Sequence, residues 1–599
     1  MSSDEHQVTR HVYAMVLSSE GKSPVGPESD EEKPENAKPE KKSDTPAGAT
    51  PKPVRIDLSN IDLSNIENRV VALPLPPRDY QDLRTGKTGV IYLLEALPPE
   101  ERAGGRILQK FDLKTRKTEK LADRIASFDI SADGEKMLIE IARPPEPPAV
   151  GPVQRPVPEL AIVPASSVVK PGDGMLKIAG IQARVDPRAE WKQMYREVWR
   201  IERSYFYDPH FHGVDTAAAE KQYEPYVEQI DSRADLNYVF QEMLGSFTVG
   251  HLRGGGGTMP SAPRVPGGLL GADYEISDGH YRIKEIYPGG PWDSELHAPL
   301  AQPGIRVSKG DYILAVNGQE LKPNDSIQRL LEGTAGRPIV LKVSSDPAGA
   351  QAREISVVPA ASDTGLRTLA WITANRKKVD ELSGGKLAYV YLPDTAMGGL
   401  TNFTRYYFAQ TNKDGAVIDE RFYSGGQAAD YIIQVMGREL LSYWAPRYGA
   451  IYRTPSASIL GPKVMMVNEF SGSGGDAMPW YFRHAKLGPL VGKRTWGGLV
   501  GISGYPALMD GGAVTSPSFA FFSPSGEWEV ENHGVGPDVE VDMDPKAVAE
   551  GHDPQLERAV EVAMAELKKN PPPQPHKPPY PNYNRAVSAG NQAGTPGGK

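Results

Sequence analysis

The sequence predicts a multidomain α+β protein: a β-rich N-terminal stretch, a small helical unit, a second β unit and an α/β core. Three observations carry that reading. Short alternating apolar runs broken by turn signals fill residues 54–168. At Pro187 the apolar period switches to 3.6, and from Lys386 apolar strand runs alternate with helical patterns. At 599 residues the chain is also too long for one core.

Composition narrows the class. A net charge of -9 gives nucleic-acid binding no electrostatic support. The absence of cysteine removes disulfides, thiolate zinc sites and cysteine nucleophiles, and leaves the redox compartment open. No apolar run approaches membrane-spanning length, so no membrane partner is expected. The histidines are scattered and no H-E-x-x-H run occurs, so neither metal nor other cofactor is expected. No P-loop is present, so ATP-driven unfolding is not expected from this chain.

In chain order, residues 1–22 hold one strand candidate, HVYAMVL from His11. Residues 23–53 are charged and proline-rich with little to bury, and read as a disordered insertion. Residues 54–168 contain runs at Val70–Leu73, Gly89–Leu93, Ile107–Leu113, Ile125–Ser131 and Met137–Ile141. Strand, turn, strand, Asp133-Gly134 turn, strand resembles one blade of a β-propeller. One and a half blades cannot close a ring, so the chain is expected to be the C-terminal part of a longer protein or to have a separate propeller partner. Residues 187–262 form a helical cap: Trp191, Met194, Tyr195, Val198, Trp199, Ile201 and Tyr205 share a face, and two further helices follow. The cap runs out through Thr248-Val249-Gly250-His251 into a glycine run, which sets His251 at an exposed junction.

Residues 264–360 read as a PDZ-like β-sandwich. Gly268-Leu269-Leu270-Gly271 resembles the loop that receives a peptide carboxylate, just before the strand from Ala272, and Gly310–Gly318 resembles the strand-and-turn signature. Such a domain binds an extended peptide by adding it to a sheet edge. Residues 361–569 form the α/β core, closed by an amphipathic helix from Gln555. Asn570–Lys599 is a Pro/Gly tail expected to be disordered.

The chemistry centres on Gly461–Gly498. Val464–Val467 reads as a buried strand, which breaks at Asn468–Asp476 and resumes as a helix. A serine on a glycine-flanked turn between strand and helix has its hydroxyl pushed outward. The first free N–H groups of the helix lie beside it, where an oxyanion could be held. This is not the G-x-S-x-G elbow, because Ser471 stands where the first glycine would be.

Residues 191–568 resemble the catalytic half of tricorn-type serine proteases, relatives of the C-terminal processing peptidases. The matching runs are Tyr207–Asp215, Gly310–Gly318, Asn468–Asp476, Lys493–Gly498 and Glu531–Asp538, in that order. The resemblance implies a serine endopeptidase with Ser473 as nucleophile, His251 as general base and Glu531 as the orienting carboxylate. It further implies that Gly426 and Gly474 supply the oxyanion N–H donors. A serine needs a base to take its proton and an acid to orient the imidazole, and two N–H groups stabilise the tetrahedral oxyanion. Peptides are the implied substrates, a homo-oligomer (a hexamer) the implied assembly, and the cytoplasm the implied compartment, or the periplasm if a signal peptide precedes this sequence.

Three departures matter. The family carries a serine before the histidine, whereas this chain has Gly250. Tyr423-Ser424-Gly425-Gly426 replaces N-G-G-G. Trp444 stands where the tricorn type has an aspartate favouring basic side chains, so an apolar or aromatic-lined site is equally compatible. Two other readings stay open. One is a catalytically silent peptide-binding scaffold; the other is a Ser–Lys peptidase using Lys493, although Gly498 occupies the place of that dyad's lysine. His484 and His533 are rivals to His251.

Overall fold

A computed structural model describes residues 9–21, 23–26, 61–97, 105–142, 158–260, 262, 265–290 and 296–583. Most of the expected 23–53 insertion, and the tail beyond residue 583, lie outside them. The chain divides into two compact units. One holds residues 1–247, 252–262 and 504–516; the other holds residues 248–251, 263–503 and 517–599.

In the first unit, β1 (Tyr13–Met15) pairs antiparallel with β2 (Val70–Ala72). Then β3 (Tyr80–Thr85), β4 (Val90–Ala96), β5 (Arg106–Asp112), β6 (Lys117–Ile130), β7 (Lys136–Ile141) and β8 (Glu159–Pro164) form one antiparallel meander in sequence order. The blade-like run therefore sits inside a larger sheet than its own pattern indicates. The 14-residue β6 makes this possible: its first part pairs with β5, and from Ile125 onward it pairs with β7. Each face has its own core, one around Leu108, Leu121, Phe128 and Ile139, the other around Leu93 and Phe111 with Val12 and Leu73. β3 escapes the sequence reading because YQDLRT presents few apolar residues for its length.

The helical part of this unit follows its pattern. α1 (Pro187–Tyr205) starts at Asp186, whose side chain accepts the Ala189 N–H, with proline in the first turn. It buries Met194, Tyr195, Val198, Trp199 and Ile201. α2 (Thr216–Val227) and α3 (Arg233–Leu244) are capped by Asp215 and Ser232. Arg233, buried, reaches Asp510 at 2.6 Å, and β9 (Arg253–Gly255) pairs with the strand Ala513–Thr515. Residues 504–516 thus belong structurally with the helices.

The second unit contains the sheet β10 (Ala272–Ser277), β11 (His280–Ile286), β12 (Tyr312–Val316), β14 (Ile339–Ser344) and β15 (Arg353–Val357), with β13 (Gln319–Glu320) paired to β12. α4 (Ile327–Leu330) covers it, and Ile283, Ile313, Leu341 and Val343 are buried between. α5 (Thr364–Ser383) leads into a parallel sheet of β16 (Leu387–Tyr391), β17 (Gly415–Asp419), β20 (Lys463–Val467), β21 (Leu490–Gly492) and β22 (Val539–Glu540). β16, β17 and β20 are buried along their whole length, as strands covered on both faces must be. The connections are α6 (Met397–Tyr407), α7 (Ala429–Met436), the hairpin β18 (Ser442–Trp444) and β19 (Tyr452–Thr454), and α8 (Gly474–His484). α9 (Pro554–Lys569) closes the core against β17 and β20. Because β17 and β20 are parallel neighbours, the loops leaving their carboxyl ends, Glu420–Gln427 and Asn468–Ser473, lie side by side.

Candidate active site

The two loops are bound to each other before any side chain reaches outward. Asn468, buried, accepts the N–H of Phe422 at 3.1 Å and of Phe470 at 3.2 Å through one oxygen. The Ser471 hydroxyl donates to the Glu420 carbonyl at 2.9 Å, and the Gly472 N–H to the Tyr423 carbonyl at 3.3 Å. Ser471 is thereby consumed structurally, which leaves Ser473 as the turn serine. Ser473 has φ 59° and ψ -113°, a conformation that costs a non-glycine residue about 1–3 kcal/mol. α8 begins at the next residue, Gly474, while the N–H groups of Gly475 and Asp476 already donate to the Gly472 and Ser473 carbonyls at 2.8 and 2.9 Å.

Gly425 and Gly426 are pressed against this turn. A Cβ on Gly425 would lie 2.8 Å from the Ser473 Cβ, and one on Gly474 would lie 2.7 Å from the Gly426 nitrogen. Only glycines permit that approach, and it brings the two expected oxyanion donors to one place. Gly426 itself has φ 134°, and its strand-like bridge to Thr395 fixes it from behind.

His251 belongs to the same unit as Ser473, and its ring centroid lies 5.2 Å from that of Trp496. The Trp496 benzo ring also fills the space beside Gly472 and Gly250: Cβ atoms on those glycines would meet it at 2.7 and 3.3 Å. Trp496 is therefore the common neighbour of His251 and of the Ser473 turn. Glu531 holds the residue just before His251. Its Oε1 accepts the Gly250 N–H at 2.6 Å, and Oε2 accepts those of Leu499 and Val500 at 2.6 and 2.8 Å.

Asp476, fully buried, ties these parts together. Its carboxylate accepts the Ser473 N–H at 2.9 Å, the Thr495 hydroxyl at 2.5 Å, and the N–H groups of Gly497 and Gly498 at 2.7 and 3.1 Å. Burial raises its pKa, and these donors oppose the rise. Beneath lies Glu420, fully buried, with no hydrogen-bond partner for either carboxyl oxygen among the described residues. Burial, with Asp476 and Asp419 nearby, holds its carboxyl well above the usual range. Neither acid was legible as a site residue. Asp476 carries a signal in hindsight, an acid three residues past the turn serine where a helix leaves N–H groups unpaired; Glu420 carries none.

Comparison with known proteins places the chain's domains. Residues 187–245 match the Tricorn protease C1 domain, 268–362 the Tricorn protease PDZ domain and 386–541 Peptidase family S41. The crystal structure of the tricorn protease superposes with a TM-score of 0.77 at 26% identity, covering 87% of this chain and 50% of that one. The chain belongs to the tricorn-type serine peptidase family. Tricorn protease homolog 1 of Streptomyces coelicolor is 33% identical over 536 residues, 86% of this chain and 48% of its own length. Tricorn protease of Thermoplasma volcanium is 29% identical over 506 residues, 83% and 47%. The chain thus spans about half the length of these tricorn relatives.

The remaining expected residues fall elsewhere, in the tricorn-type core and in the PDZ-like unit. Trp444 is exposed on the β18–β19 hairpin, stacked on Tyr452 at 6.3 Å and bonded to the Thr454 hydroxyl. Gly268, Leu269, Leu270 and Asp273 line a cavity of about 390 Å³ with Tyr274, Ile327 and Leu331. Two N–H groups of the expected carboxylate loop are already committed there, Gly268 to the Leu331 carbonyl and Leu269 to that of Ala360, both at 2.8 Å. Lys493 pairs with Glu540 at 2.7 Å and Asp542 at 2.8 Å, and these carboxylates raise its pKa. A lysine so held does not suit the role of a neutral base. Of the rival histidines, His484 stacks on Trp480 in the last turn of α8, and the His533 carbonyl accepts from Arg494. Among the described residues no group of side chains suited to a metal ion occurs, and no helix is long and apolar enough to cross a membrane.

Proposed function

We propose that this chain hydrolyses peptide bonds in oligopeptides through an acyl-enzyme on Ser473. The observation that carries the reading is the strained Ser473 turn with Gly425 and Gly426 against it. His251 takes the hydroxyl proton as Ser473 Oγ attacks the peptide carbonyl. The oxyanion that forms is held by the N–H groups of Gly426 and Gly474. His251 then returns the proton to the leaving amine, and water reverses the sequence to free the acid. Glu531 acts through the backbone, fixing Gly250 and hence the adjacent histidine.

In this reading the six-stranded sheet is the last part of a β-propeller that gates or channels peptides. The PDZ-like unit acts as an anchor or packing element, and the working assembly is a homo-oligomer in the cytoplasm, a hexamer by family likeness. The commitment of Gly268 and Leu269 favours packing over capture of a free carboxylate by that unit.

The test is active-site labelling. A fluorophosphonate probe should label the wild-type chain and leave Ser473→Ala and His251→Ala unlabelled, while Lys493→Ala labels normally. A folded wild-type chain that takes no label would leave a peptide-binding scaffold as the better account.

A further inference from the structure

Phe422 and Phe470 stand out among the exposed aromatic residues. They are 47% and 63% exposed, yet their rings stack at 5.7 Å with planes 25° apart. Each sits on one of the two loops that carry the proposed chemistry, Phe422 four residues before Gly426 and Phe470 three before Ser473. Their backbones are fixed by the same buried Asn468 oxygen. Phe422 has φ 62°, a left-handed conformation unfavourable to an aromatic residue. Strain of that kind persists only where the surroundings impose it, and it clusters at working sites. Behind the pair, Trp371 meets Phe422 edge-on at 6.5 Å and Tyr391 at 4.9 Å, so the row is anchored in the core.

A ring pair that contributed only to folding would be buried. This one is held in register from beneath by a buried carboxamide and keeps its upper surface open beside the nucleophile loop. We infer that Phe422 and Phe470 form a specificity-determining wall that receives an aromatic or large aliphatic side chain of the peptide near the scissile bond. An aromatic side chain would extend the stack in offset or edge-on geometry, and a leucine-like one would cover the ring faces. This inference rests on the peptidase reading for its substrate, but not for its measurement.

The test uses the Ser473→Ala protein, which holds peptide without turning it over, and hexapeptides of alanine with or without one central phenylalanine. The phenylalanine peptide should bind more tightly, and adding Phe470→Ala should weaken it about five- to tenfold, leaving the all-alanine peptide unchanged. Phe470→Leu should restore most of the difference, which separates loss of the wall from loss of the fold. Equal affinity for both peptides, or a preference that survives Phe470→Ala, overturns the proposal. So does an unchanged affinity together with an oligomer that falls apart in Phe470→Ala, which would assign the rings to an interface between copies. Failure of fluorophosphonate labelling would sink the catalytic reading and leave this binding result to stand or fall separately.

Discussion

The Glu531 carboxylate accepts the Gly250 N–H at 2.6 Å, so the acid expected behind the histidine grips the backbone one residue before it. With Leu499 and Val500 held by the other oxygen, three backbone donors converge on one carboxylate. Hydrogen bonds to a charged group contribute about 1.5–3 kcal/mol each. Glu531→Gln keeps the shape but turns an NH₂ toward one set of these donors. Turnover should fall about a hundredfold with KM within about threefold, because the misplacement affects the proton-transfer step more than binding. Unchanged kcat in the folded variant would show that Glu531 is not needed to place His251.

Restoring the family's serine at position 250 should not help. A Cβ there would lie 2.9 Å from the Gly498 Cα, 3.2 Å from Glu531 Oε1 and 3.3 Å from the Trp496 ring. The first contact is with backbone, which cannot swing aside, and overpacking of this kind costs about 1–3 kcal/mol. Gly250→Ser should therefore lower the melting temperature and slow fluorophosphonate labelling. Faster labelling would mean that the loop yields and that a serine relay is still latent.

How far the sequence reached depends on what kind of fact was asked of it. β17 and β20 were readable because they are short apolar runs ended by turn residues, and α1 because its face repeats every 3.6 residues. The turn at Ser473 was readable for the same local reason. α5 was missed because its apolar residues do not gather on a single face, and β8 because the proline-rich sequence just before it reads as a continuing loop. Domain limits and propeller identity stay expectations, since the six-stranded meander is larger than the blade pattern in its sequence. Asp476 and Trp496 lay beyond reach for a different reason: their importance is in partners distant in sequence, Thr495 for the first, Gly250 and His251 for the second, and only the fold brings those together.

The oxyanion role of Gly426 is open to a direct test. A Cβ there would run into the Thr395 carbonyl group and lie 2.8 Å from the Ala396 nitrogen, and φ 134° is unfavourable to alanine. Gly426→Ala should push the loop outward and remove one donor. Losing one such donor typically lowers kcat by about 10²–10³. KM should change little, since the oxyanion exists only after attack. If kcat/KM falls through KM alone, Gly426 shapes binding and the donor lies elsewhere.

The first unit carries its own acid–base signature. Glu202 on α1 is fully buried, next to Ser516 and one turn from Trp199. Burial pushes its carboxyl up to about 8, Ser516 offsetting only part of the rise, and no charged group contributes. Arg203 beside it is turned to Glu220, and Arg233 on α3 to Asp510. The folded chain thus holds a proton that the unfolded chain releases near 4.5. Below that pH both states are protonated and the contribution is fully present. Between about pH 4.5 and 8 the unfolded chain loses its proton first, so stability falls as pH rises, and it levels off above. Glu202→Gln removes this dependence. Relative to wild type it should raise the melting temperature at pH 8 by about 5 °C and leave it nearly unchanged at pH 5. Thermal unfolding of both proteins at the two pH values checks this, and parallel shifts at both would rule out a protonated Glu202.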